Sequence, residues 1–155
     1  MAASLQEIVQ WLQRGEAARA EAETPAGLET LATMRAHRSR RQFDPENAPT
    51  EAQVAHWVDV ARHASTSSFI QAYSVVEIRE PARRGQVAKL WADQPHVQSA
   101  PVVLAICADL HRIATCCQKH GATIDTSGIE SLLQATIDAA LLGQNLLLAA
   151  EAQGF

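Results

Sequence analysis

Several things this 155-residue chain lacks narrow its class before any motif is read. It has no surplus of positive charge: 13 Lys and Arg stand against 17 Asp and Glu, a formal net charge of −4. A protein that grips nucleic acid with its whole surface needs the opposite balance, so any basic cluster here is a local feature on an acidic body. Cysteine is scarce, with only Cys107, Cys116 and Cys117, an odd number of which two are adjacent. Adjacent cysteines rarely bridge each other, so the expectation is reduced thiols in the cytoplasm rather than a secreted disulfide scaffold. The first residues show no basic segment leading into an apolar core, so no signal peptide is expected. The longest uncharged run, Ala139 to Ala150, contains Gln144 and Asn145 and is too short to span a bilayer, so the reading is a soluble chain. The motifs G-x-G-x-x-G, G-x-x-x-x-G-K-[ST] and G-x-S-x-G are all missing, which removes the Rossmann, P-loop and hydrolase-elbow readings.

What is present describes one globular domain at most. Apolar residues make up 47% and charged residues 19%, enough to bury a core. Ser4-Leu5-Gln6-Glu7 is a capping box, followed by Leu5, Ile8, Val9 and Leu12 on one helical face. Arg14 to Glu23, rich in Ala and charge, reads as a solvated helical arm, and Thr24-Pro25 opens a short helix through Leu28, Leu31 and Met34. Phe43 to Pro49 is a loop punctuated by two prolines. Thr50-Glu51-Ala52-Gln53 is a second capping box, and Val54, Trp57, Val58 and Ala61 trace the stripe of an amphipathic helix over Glu51–Arg62. Ala64 to Ser68 is a hydroxyl-rich loop, because such side chains compete for backbone hydrogen bonds. Tyr73 to Arg79 reads as a strand and Arg83 to Trp91 as a helix. Val102 to Ala108 is an unbroken apolar run, the pattern of a strand covered on both faces. A polar segment bearing Cys and His then leads to a long helix, Ile129 to Ala152, with Gly154 as its cap. A strand of that kind needs neighbours on both sides, and only one other is visible, so the chain reads as the first part of a larger α+β domain.

Arg35-Ala36-His37-Arg38-Ser39-Arg40-Arg41 places four guanidiniums, an imidazole and a hydroxyl within seven residues. Three readings are open. The arginines could answer the dipole at a helix end. They could form a non-catalytic anion- or nucleic-acid-binding patch. They could cradle a cofactor phosphate, since Arg offers a planar fork of donors that stays charged. Ser39 and the hydroxyl loop from Ser65 to Gln71 favour the third. His111, Cys116, Cys117 and His120 mimic metal-ligand spacing, but no second pair lies near enough in sequence to complete a tetrahedron, so no metal is expected.

Taken in order, His37-Arg38-Ser39-Arg40-Arg41-Gln42-Phe43, Ala61 to Gln71, Gln94-Pro95-His96-Val97 and Asp138 to Asn145 resemble the FMN-dependent nitroreductase family. The similarity is greatest to its NADPH-preferring, oxygen-insensitive nitroreductase and flavin reductase branch, and it runs from about His37 to Phe155. The resemblance implies an α+β nitroreductase-like FMN-binding fold, incomplete at the C-terminus, with a helical majority and a partial sheet. Residues 1–32 would be a helical extension and 33–155 the N-terminal part of the domain. It also implies FMN as cofactor and NADPH as hydride donor. The acceptor would be a nitroaromatic, a quinone or free flavin, reduced in a ping-pong cycle through N5 of the flavin. The family works as a cytoplasmic homodimer, with no role for nucleic acid or membrane.

By the same resemblance His37, Arg38, Ser39 and Arg41 hold the FMN phosphate and ribityl chain, with Arg40 adding charge at a variable position. Thr66 and Ser67 lie beside the isoalloxazine ring, and Gln94 bonds its polar edge. Ser68 and Phe69 face the open side where nicotinamide and acceptor alternate. These are binding residues and none is a catalyst in the narrow sense, because the flavin carries the chemistry. Pro95 and Asp93 depart from the family pattern beside Gln94. The glycine-rich strand, the further basic residues and the partner-wrapping extension that follow in the family have no counterpart before Phe155. Weak FMN binding or none, and negligible turnover, are therefore expected of the 155 residues alone.

Overall fold

The structure, a computed structural model, describes residues 28–155 together with Gln6 and Gln10. The capping box at Ser4, the arm from Arg14 to Glu23 and the Thr24-Pro25 start fall outside the described residues. The chain divides into two compact units, one up to His37 and one from Arg38 to Phe155. In the first, helix α1 (Leu28–Ala36) carries Glu29 in its first turn and Arg35 in its last, the charge order that suits a helix dipole.

The second unit is built on two helices packed against a pair of antiparallel strands distant in sequence. Helix α2 (Glu51–Ala61) starts at the expected capping box: the Thr50 hydroxyl accepts from the Gln53 amide at 3.2 Å, and the Gln53 side chain accepts from the Thr50 amide at 2.8 Å. Strand β1 (Tyr73–Ile78) is followed by α3 (Pro81–Leu90) and the short α4 (Pro95–Ser99). Strand β2 (Val103–Ala108) pairs antiparallel with β1, Tyr73 opposite Ala108 and Ile78 opposite Val103. Then come α5 (His111–Lys119) and the long α6 (Ile129–Ala152).

The core lies where α6 crosses α2 and the strands. Val54, Trp57 and Ala61 of α2 meet Ala139, Leu142 and Leu146 of α6, with Tyr73 beneath them. Gly143 permits the close approach of α6 to the sheet, since a Cβ there would come within 3.0 Å of Ile106 Cδ1. The end of α6 is pinned back on α2. Trp57 Nε1 donates to Gln153 at 2.9 Å and packs edge-on against Phe155, 5.0 Å between ring centres. Gly154 allows that return because it adopts φ +87°, a left-handed backbone that costs glycine little.

Two details need correction. The Val102–Ala108 strand starts at Val103; it pairs along one edge only, as the expected incomplete sheet requires, and is half-buried with Cys107 and Ala108 exposed rather than covered on both faces. Its apolar composition reports what the strand can bury, not what residues 38–155 place over it. Helix α3 begins at Pro81, two residues earlier than expected, because proline suits the first helical position; the polar Cys/His segment, for which the sequence pattern implies no element, is helix α5. Helix α6 is as expected in extent, yet it is apolar on two faces: opposite its buried stripe, Ile129, Leu133 and Ile137 are exposed by 70%, 54% and 55%. By length and composition alone α6 is apolar enough to cross a membrane. Its packing on α2 and its buried Asp138 are those of a core helix.

Candidate functional site

The cationic run is presented openly. His37 ends the first unit and Arg38, Ser39, Arg40 and Arg41 begin the second; all five are exposed and lie outside helices and strands. The chemistry of the set, guanidiniums beside a hydroxyl and an imidazole, suits a phosphate.

The hydroxyl loop is the reverse. Thr66 is extended (φ −136°, ψ 152°) and leads into a single 3₁₀ turn, Ser67–Phe69. Ser68, Phe69 and Gln71 then take left-handed backbone at φ 50°, 56° and 50°. Few non-glycine residues adopt that region, and each costs roughly 1–3 kcal/mol unless its surroundings enforce it. Two sets of bonds do so. From α6, Asp138 Oδ1 accepts from the Ser67 amide and Oδ2 from the Ala72 amide, both at 3.1 Å. From the other side, the Ala72 carbonyl accepts from the Asp109 amide at 2.9 Å and the Gln71 carbonyl accepts from Arg112. Asp138 is only 1% exposed, the one buried charged residue among the described residues.

Asp109 is itself held in place. It accepts from the Ser74 hydroxyl and from the amides of His111 and Arg112 at 2.9 and 3.3 Å, which caps the first turn of α5. The Ser74 bond, ahead of these amides, lowers its carboxyl below the ordinary aspartate range. Burial raises the Tyr73 hydroxyl above the usual phenol range, against the pull of Arg112, whose guanidinium lies 5.7 Å from the ring centre.

Gln94, on a separate segment, is exposed at the start of α4 and follows Ala92 and Asp93, left-handed at φ 57° and 52°. All five left-handed non-glycine residues among the described residues thus fall in the two segments that carry Thr66, Ser67, Ser68, Phe69 and Gln94. Backbone strain concentrated in this way is a mark of a binding site. Phe69 is 81% exposed and stands at a cleft of about 680 Å³ bounded by Arg62, His63, Gln71, Tyr73 and Arg112. Among the described residues no group of three or more His, Cys, Asp or Glu could hold a metal ion.

Sequence reasoning missed Asp138, Asp109 and Arg112 as parts of this loop's support. Asp138 carried one signal, a lone carboxylate on the apolar stripe of α6; nothing in the order of residues said which amides it would meet.

Residues 34–155 match the model of the Nitroreductase family. The chain is 34% identical over 127 residues to an FMN reductase (NADPH) of Bacillus subtilis strain 168, covering 81% of this chain and 51% of the relative. It is 35% identical over 125 residues to an oxygen-insensitive NADPH nitroreductase of Salmonella typhimurium, covering 81% and 50%. Among solved structures, NADPH:FMN oxidoreductase from Vibrio harveyi superposes with a TM-score of 0.74 at 32% identity, over 81% of this chain and 53% of that one. The chain spans about half the length of the curated relatives it matches. Nothing among these relatives favours a nucleic-acid-binding or other non-catalytic module.

Proposed function

The chain belongs to the Nitroreductase family, and from that premise we propose that it is an NAD(P)H-dependent FMN oxidoreductase acting on nitroaromatics, quinones or free flavin. The observation that carries this reading is the gathering of left-handed backbone on the two segments bearing Thr66–Phe69 and Gln94. His37, Arg38, Ser39 and Arg41 would hold the phosphate and ribityl chain, with Arg40 adding positive charge. Thr66 and Ser67 would hydrogen-bond the ring, and Gln94 would offer its amide to the ring's polar edge. Because the Ser67 amide already donates to Asp138, Ser67 has its hydroxyl left to give. Ser68 and Phe69 would border the face where donor and acceptor alternate, and exposed Phe69 supplies a flat apolar surface to a planar partner. When bound, FMN supplies the redox chemistry, with hydride entering from NADPH and leaving to the acceptor.

We assign residues 1–32 to an extension and 33–155 to the family domain. A homodimer is supported by the exposed apolar face of α6, which a partner could cover. A cytoplasmic setting is supported by Cys107, Cys116 and Cys117, all free thiols. Titration of the purified chain with FMN, followed by flavin fluorescence, tests the reading. Saturable binding that Arg41→Ala weakens supports it. Colourless protein that ignores FMN and binds duplex DNA with steep salt dependence overturns it.

A further inference from the structure

We propose that Asp138 is a positioning residue for the flavin ring: its two carboxylate oxygens hold the arc from Ser67 to Ala72 in the shape that presents Thr66, Ser67 and Phe69. This rests on the FMN reading above. Asp138 reaches the arc from the middle of α6, 66 and 71 residues away in sequence, and sits almost wholly out of water. A buried carboxylate is costly unless its oxygens are satisfied, and here each takes one backbone N–H. The two donors lie at the two ends of the arc, and the left-handed residues Ser68, Phe69 and Gln71 all lie between them. Bringing Ser67 N and Ala72 N onto one carboxyl group, at 3.1 Å each, makes the intervening chain double back. That is how non-glycine residues come to be held left-handed.

The chemistry asks for a carboxylate rather than a polar side chain of the same shape. Both arc groups are donors, so both atoms facing them must be acceptors. An asparagine offers one acceptor and turns its NH₂ toward the other N–H, donor against donor. Asp138 touches neither FMN nor substrate in this scheme; it acts through the loop.

The test compares wild type, Asp138→Asn and Leu142→Ala, the last a buried residue one turn along α6 that removes packing and leaves the carboxylate. Two quantities are read: amide exchange at Ser67 and Ala72 without ligand, and FMN affinity together with the visible circular dichroism of the bound ring. For Asp138→Asn we expect faster exchange at one or both amides, a dissociation constant raised about ten- to a hundred-fold and an altered dichroism band. Leu142→Ala should lower Tm while keeping the wild-type band. If the Asn variant does not fold, Asp138→Glu replaces it: a displaced carboxylate should shift the band, and an unshifted band overturns the proposal. Wild-type exchange, affinity and band in Asp138→Asn overturn it as well, as does a Leu142→Ala effect on FMN at least as large. Wild type that binds no FMN while its amides respond to Asp138→Asn removes the role in positioning the ring for these 155 residues, and leaves only the loop clamp. Wild type that binds FMN no better than Asp138→Asn removes the positioning role alone.

Discussion

The loop around Ser67 and the cationic run from Arg38 to Arg41 are candidate halves of one kind of site, yet they are made in opposite ways. The run is a short stretch of donors, exposed and outside regular structure, whose usefulness is in its residue types. The loop is half-strained backbone whose usefulness is in its shape, and that shape is enforced by Asp138 on α6, Asp109 after β2 and Arg112 on α5. A phosphate is a compact anion that flexible guanidiniums can follow, so local chemistry suffices. A flat ring must be met at a defined angle, so its partners need support from elsewhere in the fold.

The comparison breaks most severely through the core. Leu142→Ala should cost about 2–5 kcal/mol in urea unfolding, because Leu142 is fully buried between α2 and the sheet. Amide exchange at Ser67 and Ala72 should stay close to wild type while the Asp138 carboxylate is in place; exchange quickened there as much as by Asp138→Asn would make the loop's shape a matter of packing and erase the contrast. Next in size, Arg41→Ala should weaken FMN binding by about 1.5–3 kcal/mol, the scale of a charge-assisted hydrogen bond, with Tm unchanged. A fall in Tm would mean that the run is structural after all.

Between the two regions stands the α2 cap. Thr50→Ala removes half of the reciprocal capping pair and should cost about 1 kcal/mol in thermal or urea unfolding, leaving FMN affinity alone. The smallest effect expected is one of pH. The Asp109 carboxyl titrates lower in the folded chain than in the unfolded one, chiefly through the Ser74 hydroxyl. Its contribution is therefore complete above the ordinary aspartate range and is lost as pH falls through and below about 4. Ser74→Ala should flatten that acid limb in a series of unfolding curves; an unchanged limb would exclude Asp109 as its source.

Much of this protein was legible along the chain. Capping at Thr50, the stripe from Val54 to Ala61, the extent of α6 and the glycine beyond it follow from interactions between residues a few positions apart. The cationic run and the hydroxyl loop were equally visible, since both depend on residue types in a row. The unpaired edge of β2 was legible as a shortage of partner strands; how far each of its faces is covered was not, because apolar character does not say what lies across the sheet. Nor could any local rule join Asp138 to Ser67 and Ala72, or place left-handed backbone at Ser68, Phe69 and Gln71, residues with no intrinsic preference for it. The order of residues by itself determined the helices, their caps and the donor chemistry, because those energies are short-range in sequence. The shape of the loop was decided only when α6 packed on α2 and the strands, because that step carried a buried carboxylate to two amides far away in the chain.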